Sequence, residues 1–114
     1  MRIAAAFRHA ISGIIYCVCR ERNMKVHLTA ALVILGLAWY HKLSGIELGI
    51  LVITIAGVIT AEIFNTALET IVDKVSPDFH PLAKAAKDAA AGAVLIQAVA
   101  AVIIGYVLFG NKVL

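Results

Sequence analysis

Apolar and polar positions follow three different patterns along this chain, and each predicts a different kind of helix. From residue 2 to 22 the apolar side chains Ile3, Phe7, Ile11, Ile14 and Val18 recur at spacings of three and four, with Arg2, His9, Ser12 and Arg20 mostly elsewhere on the wheel. A single apolar stripe on a charged helix predicts an amphipathic helix lying in a membrane surface, where it can also act as a lid or wall for a site. After the polar stretch ERNMKVH, residues 21–27, an apolar run over 28–40 ends in Trp39 and Tyr40, a pair suited to a membrane interface. The stretch HKLSG, 41–45, must be a turn, because residues 28–61 would otherwise form one apolar helix longer than a bilayer is thick. Residues 26–73 therefore read as a helical hairpin. A further apolar segment follows at 89–109, opened by Lys87 and Asp88.

The second arm of the hairpin does not stay apolar. In EIFNTALETIVD, residues 62–73, the side chains Glu62, Asn65, Glu69 and Asp73 fall on one stripe, about 80° wide at about 100° per residue. Ionisable groups inside a hydrocarbon-length segment usually face a bundle interior and mark function. The plain alternative, strongest for Asp73, is that the stripe lies in the headgroup layer at a helix end, where charge is tolerated. Two glutamates seven residues apart with an asparagine between them look like ligands for a cation, or for something a cation carries.

Composition agrees with the pattern. The 114 residues are 62% hydrophobic and 15% charged, with a net charge of +3. These values describe one all-α integral membrane domain and exclude a nucleic-acid binder. Spans are expected at about 26–42, 46–73 and 86–109, after a surface helix at about 2–22. Arg20, Arg22, Lys25, Lys74, Lys84 and Lys87 flank one side of the hairpin, and under the positive-inside rule that side is cytoplasmic. The N-terminus is then inside and the C-terminus outside. Pro77 and Pro81 stop helix propagation between the second and third spans. The small residues Ala85, Ala86, Ala89, Ala90, Ala91, Gly92 and Ala93 predict close helix packing that draws Lys87 and Asp88 towards the polar stripe. Cys17 and Cys19 are too close together for a short disulfide and read as small apolar filler. No cleavable leader is expected.

Glu21, Glu62, Asn65, Glu69, Asp73, Asp78, His80, Lys87 and Asp88 collect at the cytoplasmic interface. Glu21 alone is satisfied by a solvated salt bridge; its relation to Glu62 and Glu69 gives it interest. Several carboxylates beside a lysine are the inventory of a magnesium-nucleotide site with one carboxylate left over as base. Phosphate-loop, kinase catalytic-loop and zinc-protease motifs are missing from the sequence, so a soluble nucleotide-binding fold is excluded. From residues alone the reading stops at metal-dependent chemistry at the inner membrane surface.

The sequence resembles the small bacterial integral-membrane diacylglycerol kinase family, in particular its undecaprenol kinase branch. The likeness is carried by ERN followed by His27, by AEIFNTALETIVD, and by HPLAKAAKDAAAGAVL at 80–95. The E-x-x-N-x-x-x-E stripe followed after 17 intervening residues by Lys-Asp is the specific part. The resemblance implies ATP- and Mg²⁺-dependent phosphorylation of a lipid alcohol, undecaprenol first and diacylglycerol as the alternative, at the cytoplasmic face of the bacterial inner membrane. Glu62 is implied as catalytic base, Glu21 and Glu69 as magnesium ligands, and Asn65 as a group that positions them. Lys87 and Asp88 are implied as nucleotide contacts, with Asp78, Phe79 and His80 in the adjoining loop. Arg2 and His9 match further lipid and nucleotide contacts by spacing alone. A homotrimer with active sites shared between protomers is implied as well. Ala91 stands where some diacylglycerol-specific members have serine, which favours a more apolar acceptor. Two further readings remain: a small proton-coupled transporter, which needs its carboxylate near mid-membrane, and a structural membrane peptide, which leaves the convergence of charged groups unexplained.

Overall fold

The computed structural model describes residues 2–113, and among them the secondary structure is entirely helical. Helix α1 covers Ile3–Arg20, α2 Arg22–Tyr40, α3 Gly45–Val75 and α4 Pro81–Val113. At about 1.5 Å per residue, α3 and α4 are each more than 45 Å long. Both exceed the roughly 30 Å of bilayer hydrocarbon, so a helix of either length carries its terminal turns beyond the hydrocarbon.

The hairpin turn is built from local hydrogen bonds. Leu43 N donates to Ala38 O at 3.1 Å, the outer bond of a Schellman closure, with Lys42 in the left-handed region at φ 54°. Ser44 then starts α3 with a capping box: its hydroxyl accepts from Glu47 N at 3.2 Å, and Glu47 Oε1 accepts from Ser44 N at 2.9 Å. Glu47 also faces Lys112 of α4 at 3.5 Å. Beneath this turn Ala38, Leu51 and Leu108 form a buried core, with Ile34, Leu43, Ile55, Ile104 and Phe109 packed around it.

Helices α3 and α4 make the most extensive pairing. Their close approach occurs at Gly57, where a Cβ would stand 2.8 Å from Gln97 Oε1. The expected contact through the small run of α4 is only half realised: Ala86, Ala90 and Gly92 are half-buried, whereas Ala85, Ala89, Ala91 and Ala93 are exposed. Helix α4 begins at Pro81, earlier than the apolar segment. Proline suits the first helical position because its missing N–H has no intrahelical partner there. Lys84, Lys87 and Asp88 consequently stand on the first turns of a helix.

Three helices are long and apolar enough to cross a membrane, α1, α3 and α4, and the chain is a multi-pass membrane protein. By that measure α1 qualifies and α2 does not, the reverse of the expectation from the stripe. The cause is the polar opening RNMKVH, which lowers the mean hydropathy of α2, whereas α1 has alanines and isoleucines between its few charges. Ile3, Phe7, Ile11 and Ile14 are all exposed. Cys17 is buried and Cys19 exposed, both as free thiols, so only Cys17 fills a packed position.

Candidate functional site

The polar stripe of α3 is organised by depth. Deepest is Glu62, 2% exposed, whose Oε1 lies 3.1 Å from Nε2 of His27 on α2 without hydrogen-bonding geometry. One turn on, Asn65 Nδ2 donates to Glu69 Oε1 at 3.2 Å while Asn65 Oδ1 is buried and unpartnered. The outermost member, Asp73, is half exposed and forms an ion pair with Lys87 of α4 and another with Arg20 of α1 at 3.6 Å. Glu62 and Asp73 are eleven residues apart on one helix, about 16 Å. The stripe thus runs from a dry, under-bonded carboxylate to a wet, doubly paired one.

Glu21 owes its position to a single break in the backbone. At φ −104° and ψ 123° it is extended, ending α1 and starting α2 at once. Its carboxylate lies 3.5 Å from Arg20 Nε. Neither glycine nor proline marks the break, so nothing local in the sequence announces it. Arg20 itself also bonds to Tyr16 and, at 2.9 Å, to Thr70 Oγ1 on α3. This contact brings the Glu21 junction alongside the turn of α3 that carries Glu69.

The loop after α3 forms a cleft of about 360 Å³ with the start of α4, lined by Asp73, Asp78, Phe79, His80, Lys87 and Asp88 among others. His80 Nδ1 accepts from Leu82 N at 3.0 Å and so caps the first turn of α4, and Ser76 Oγ donates to Asp78 O at 3.0 Å. Phe79 is 79% exposed at the rim. Lys87 reaches the polar stripe as expected, but Asp88 pairs with Lys84 one turn back on its own helix instead. His9 lies on a separate groove between α1 and α3, together with Cys17, Ile63 and Ala67. Arg2 precedes α1 as an exposed residue without a side-chain cap bond. Arg20, Tyr16 and Thr70 carry no motif in the sequence; the only hint of them was the density of charge around residue 21.

Among the described residues, no three His, Cys, Asp or Glu side chains converge as a metal site of their own. Mg²⁺ rarely needs one, since one or two carboxylates plus substrate phosphates usually hold it. The hard oxygen donors Asn65 Oδ1, enclosed and unpartnered, and Glu69 beside it fit such an ion, while Glu21 stands at the α1–α2 junction. On the apolar side, a pocket of about 120 Å³ between α2, α3 and α4 has His27 at one end and Ala31, Ile34, Val58 and Gly105 along it. Glu62 lies on α3 between the turns that line the apolar slot and those that line the loop cleft.

The sequence pattern of the family described as prokaryotic diacylglycerol kinase matches residues 8–109. The chain belongs to the prokaryotic diacylglycerol kinase family. Among relatives in this family of lipid kinases, undecaprenol kinase of Bacillus subtilis (strain 168) is 44% identical over 111 residues, which is 97% of this chain and 90% of that protein. Diacylglycerol kinase of Synechocystis sp. is 40% identical over 104 residues, 90% of this chain and 59% of that protein. Diacylglycerol kinase of Escherichia coli (strain K12) is 29% identical over 102 residues, 90% of this chain and 84% of that protein.

Proposed function

We propose that this lipid kinase transfers the γ-phosphoryl group of ATP to the hydroxyl of a membrane lipid alcohol, with undecaprenol as the preferred acceptor. The observation that carries the reading is Glu62: a carboxylate 2% exposed, with an oxygen lacking a hydrogen bond. A buried acceptor without a donor is costly to keep, and a substrate hydroxyl supplies the missing one. Glu62 then takes the proton from that hydroxyl as it attacks, general-base catalysis typically worth about 10²–10⁴ in rate. His27, at 3.1 Å, stands ready to steady the carboxylate.

Glu21 and Glu69 hold Mg²⁺ in this reading and Asn65 orients them. The ion, when bound, spreads the negative charge that develops on the phosphates. Lys87 moves from Asp73 onto a phosphate, Asp88 and His80 line the nucleotide cleft, and Asp78 and Phe79 form its outer wall. Arg2 and His9 are assigned to lipid and nucleotide contacts reached from α1, His9 from a groove that does not join the loop cleft in a single chain.

Packing supports the membrane placement in this reading. Helix α2 meets α3 at His27–Glu62 and again at Ala38–Leu51, so it runs beside α3 and crosses with it despite its polar first turn. Helix α1 lies along α3 from Ile63 to Ile71 and bonds to it at Thr70, and its amphipathic stripe supports a helix resting on the cytoplasmic surface of the inner membrane. The uncovered half of the small-residue run on α4 suits a neighbouring copy, and we assign a homotrimer. Diacylglycerol is the second acceptor to test, in view of the names of the Synechocystis and E. coli relatives.

Transfer of labelled γ-phosphate from MgATP to undecaprenol and to diacylglycerol in mixed micelles tests the reading. Faster transfer to undecaprenol supports it; preference for diacylglycerol keeps the mechanism and changes the substrate. No transfer to either lipid by folded, oligomeric protein removes Glu62 from its role as base.

A further inference from the structure

We propose that Arg20 is a positioning residue of the nucleotide site, holding Glu21 on one side and, through Asp73, Lys87 on the other. The proposal rests on the reading of Glu21 as a metal ligand and Lys87 as a phosphate contact. All three guanidinium nitrogens are used: Nε lies 3.5 Å from Glu21 Oε1, Nη2 lies 3.6 Å from Asp73 Oδ2, and Nη1 donates to Tyr16 Oη and to Thr70 Oγ1. The other oxygen of Asp73 accepts from Lys87. One side chain therefore links α1, α3 and α4.

Hydrogen-bond valence leaves this arrangement little freedom. Thr70 gives its proton to Thr66 O at 2.8 Å, so it can only accept from Arg20 and from Tyr16, which lies 3.3 Å away. The Tyr16 hydroxyl must then accept from Arg20 and donate to Thr70. A closed triangle of this kind orients the guanidinium plane, and the plane orients the two carboxylates beside it. Lysine cannot replace it, because an ammonium is a point charge without a fork.

The charges give the device its purpose. Two cations, Arg20 and Lys87, share the single carboxylate of Asp73. When a polyphosphate draws Lys87 away, Arg20 still neutralises Asp73, so the lysine leaves without stranding its partner. Without Arg20, Asp73 retains Lys87 more tightly and Glu21 loses the neighbour that aims it. Both changes weaken binding of the metal-nucleotide and neither touches the lipid slot along α2.

The test uses full-length protein in mixed micelles. Arg20→Gln is expected to raise the KM for MgATP and the Mg²⁺ concentration for half-maximal rate by about tenfold, as loss of an outer partner of a metal ligand does, with the KM for the lipid alcohol unchanged. Mn²⁺ binding in the presence of a non-hydrolysable ATP analogue, followed by loss of the free-ion paramagnetic signal, is expected to weaken in proportion. Arg20→Lys should behave like Arg20→Gln. Tyr16→Phe, the milder variant, should shift both quantities by about threefold in the same direction. Unchanged Mn²⁺ binding and MgATP dependence in Arg20→Gln, with Glu21→Gln and Lys87→Met crippled, overturns the proposal and leaves the site reading intact. A parallel rise in both KM values with a lowered melting temperature makes Arg20 merely structural and overturns it too. Wild-type kinetics in Glu21→Gln and Lys87→Met overturn both the proposal and the reading beneath it.

Discussion

The two ends of the helical hairpin are built on opposite rules. At the turn, the exposed backbone and the caps are satisfied locally by the Schellman closure and the Ser44–Glu47 box, over an apolar core of Ala38, Leu51 and Leu108. At the other end three buried side-chain atoms, Glu62 Oε1, Asn65 Oδ1 and Thr66 Oγ1, have no hydrogen-bond partner. Asp73 there is shared between helices, paired with Arg20 of α1 and Lys87 of α4. Unmade bonds of this kind disfavour the folded state, and they persist where a ligand is to complete them. The turn end holds the hairpin together, and the opposite end keeps capacity in reserve.

If that division is right, mutations at the two ends should separate activity from stability. The largest effect is expected at Glu62→Gln: a loss of about 10³ in kcat or more, with a thermal midpoint close to that of the parent, since the amide keeps the shape of the carboxyl group. Glu69→Gln should abolish Mg²⁺-dependent transfer, by about 10² at least, while cross-linking or size-exclusion chromatography finds the assembled oligomer unchanged. At the turn end the pattern should invert. Leu51→Ala is expected to destabilise by about 2 kcal/mol, read from the denaturation midpoint, with the KM for MgATP as before. Ser44→Ala should cost about 1 kcal/mol through the lost cap. The smallest change, Lys42→Gly, should raise stability by about 0.5–1 kcal/mol, because glycine adopts the left-handed conformation without steric penalty. Loss of activity in Leu51→Ala at full stability would erase the contrast between the ends.

Much of this was readable before the fold was known, and the reasons are physical. Acidic residues are so costly in an apolar helix that Glu62, Asn65, Glu69 and Asp73 declare a common face by spacing alone. The turn expected at 41–45 is readable because an uninterrupted helix would outrun the bilayer, and the structure ends it one residue earlier, with Gly45 already in α3. By contrast, Asp88 could go to Lys84 or to α3, and only the observed side-chain geometry distinguishes a partner one turn away from one across a helix interface. The Arg20 hub needs α1 to reach Thr70, fifty residues distant in sequence, and no periodicity encodes that. Hydropathy and packing part company for a related reason: α2 is polar at its start, so its composition falls short of a span although it lies beside α3 at both of its ends.

Glu21 is the sole non-helical residue between α1 and α2, and this has a rotational consequence. Two helices joined through one residue are locked in phase: an inserted or deleted residue there would turn one against the other by about 100°. The stripe from Ile3 to Val18, and Arg20 with it, would swing away from its present side. The spacing of the E-R-N segment from the N-terminal stripe is therefore a setting of angle as much as of distance. Substitutions along α1 away from Tyr16 and Arg20 leave this setting in place, whereas a change in the count of residues before Glu21 does not.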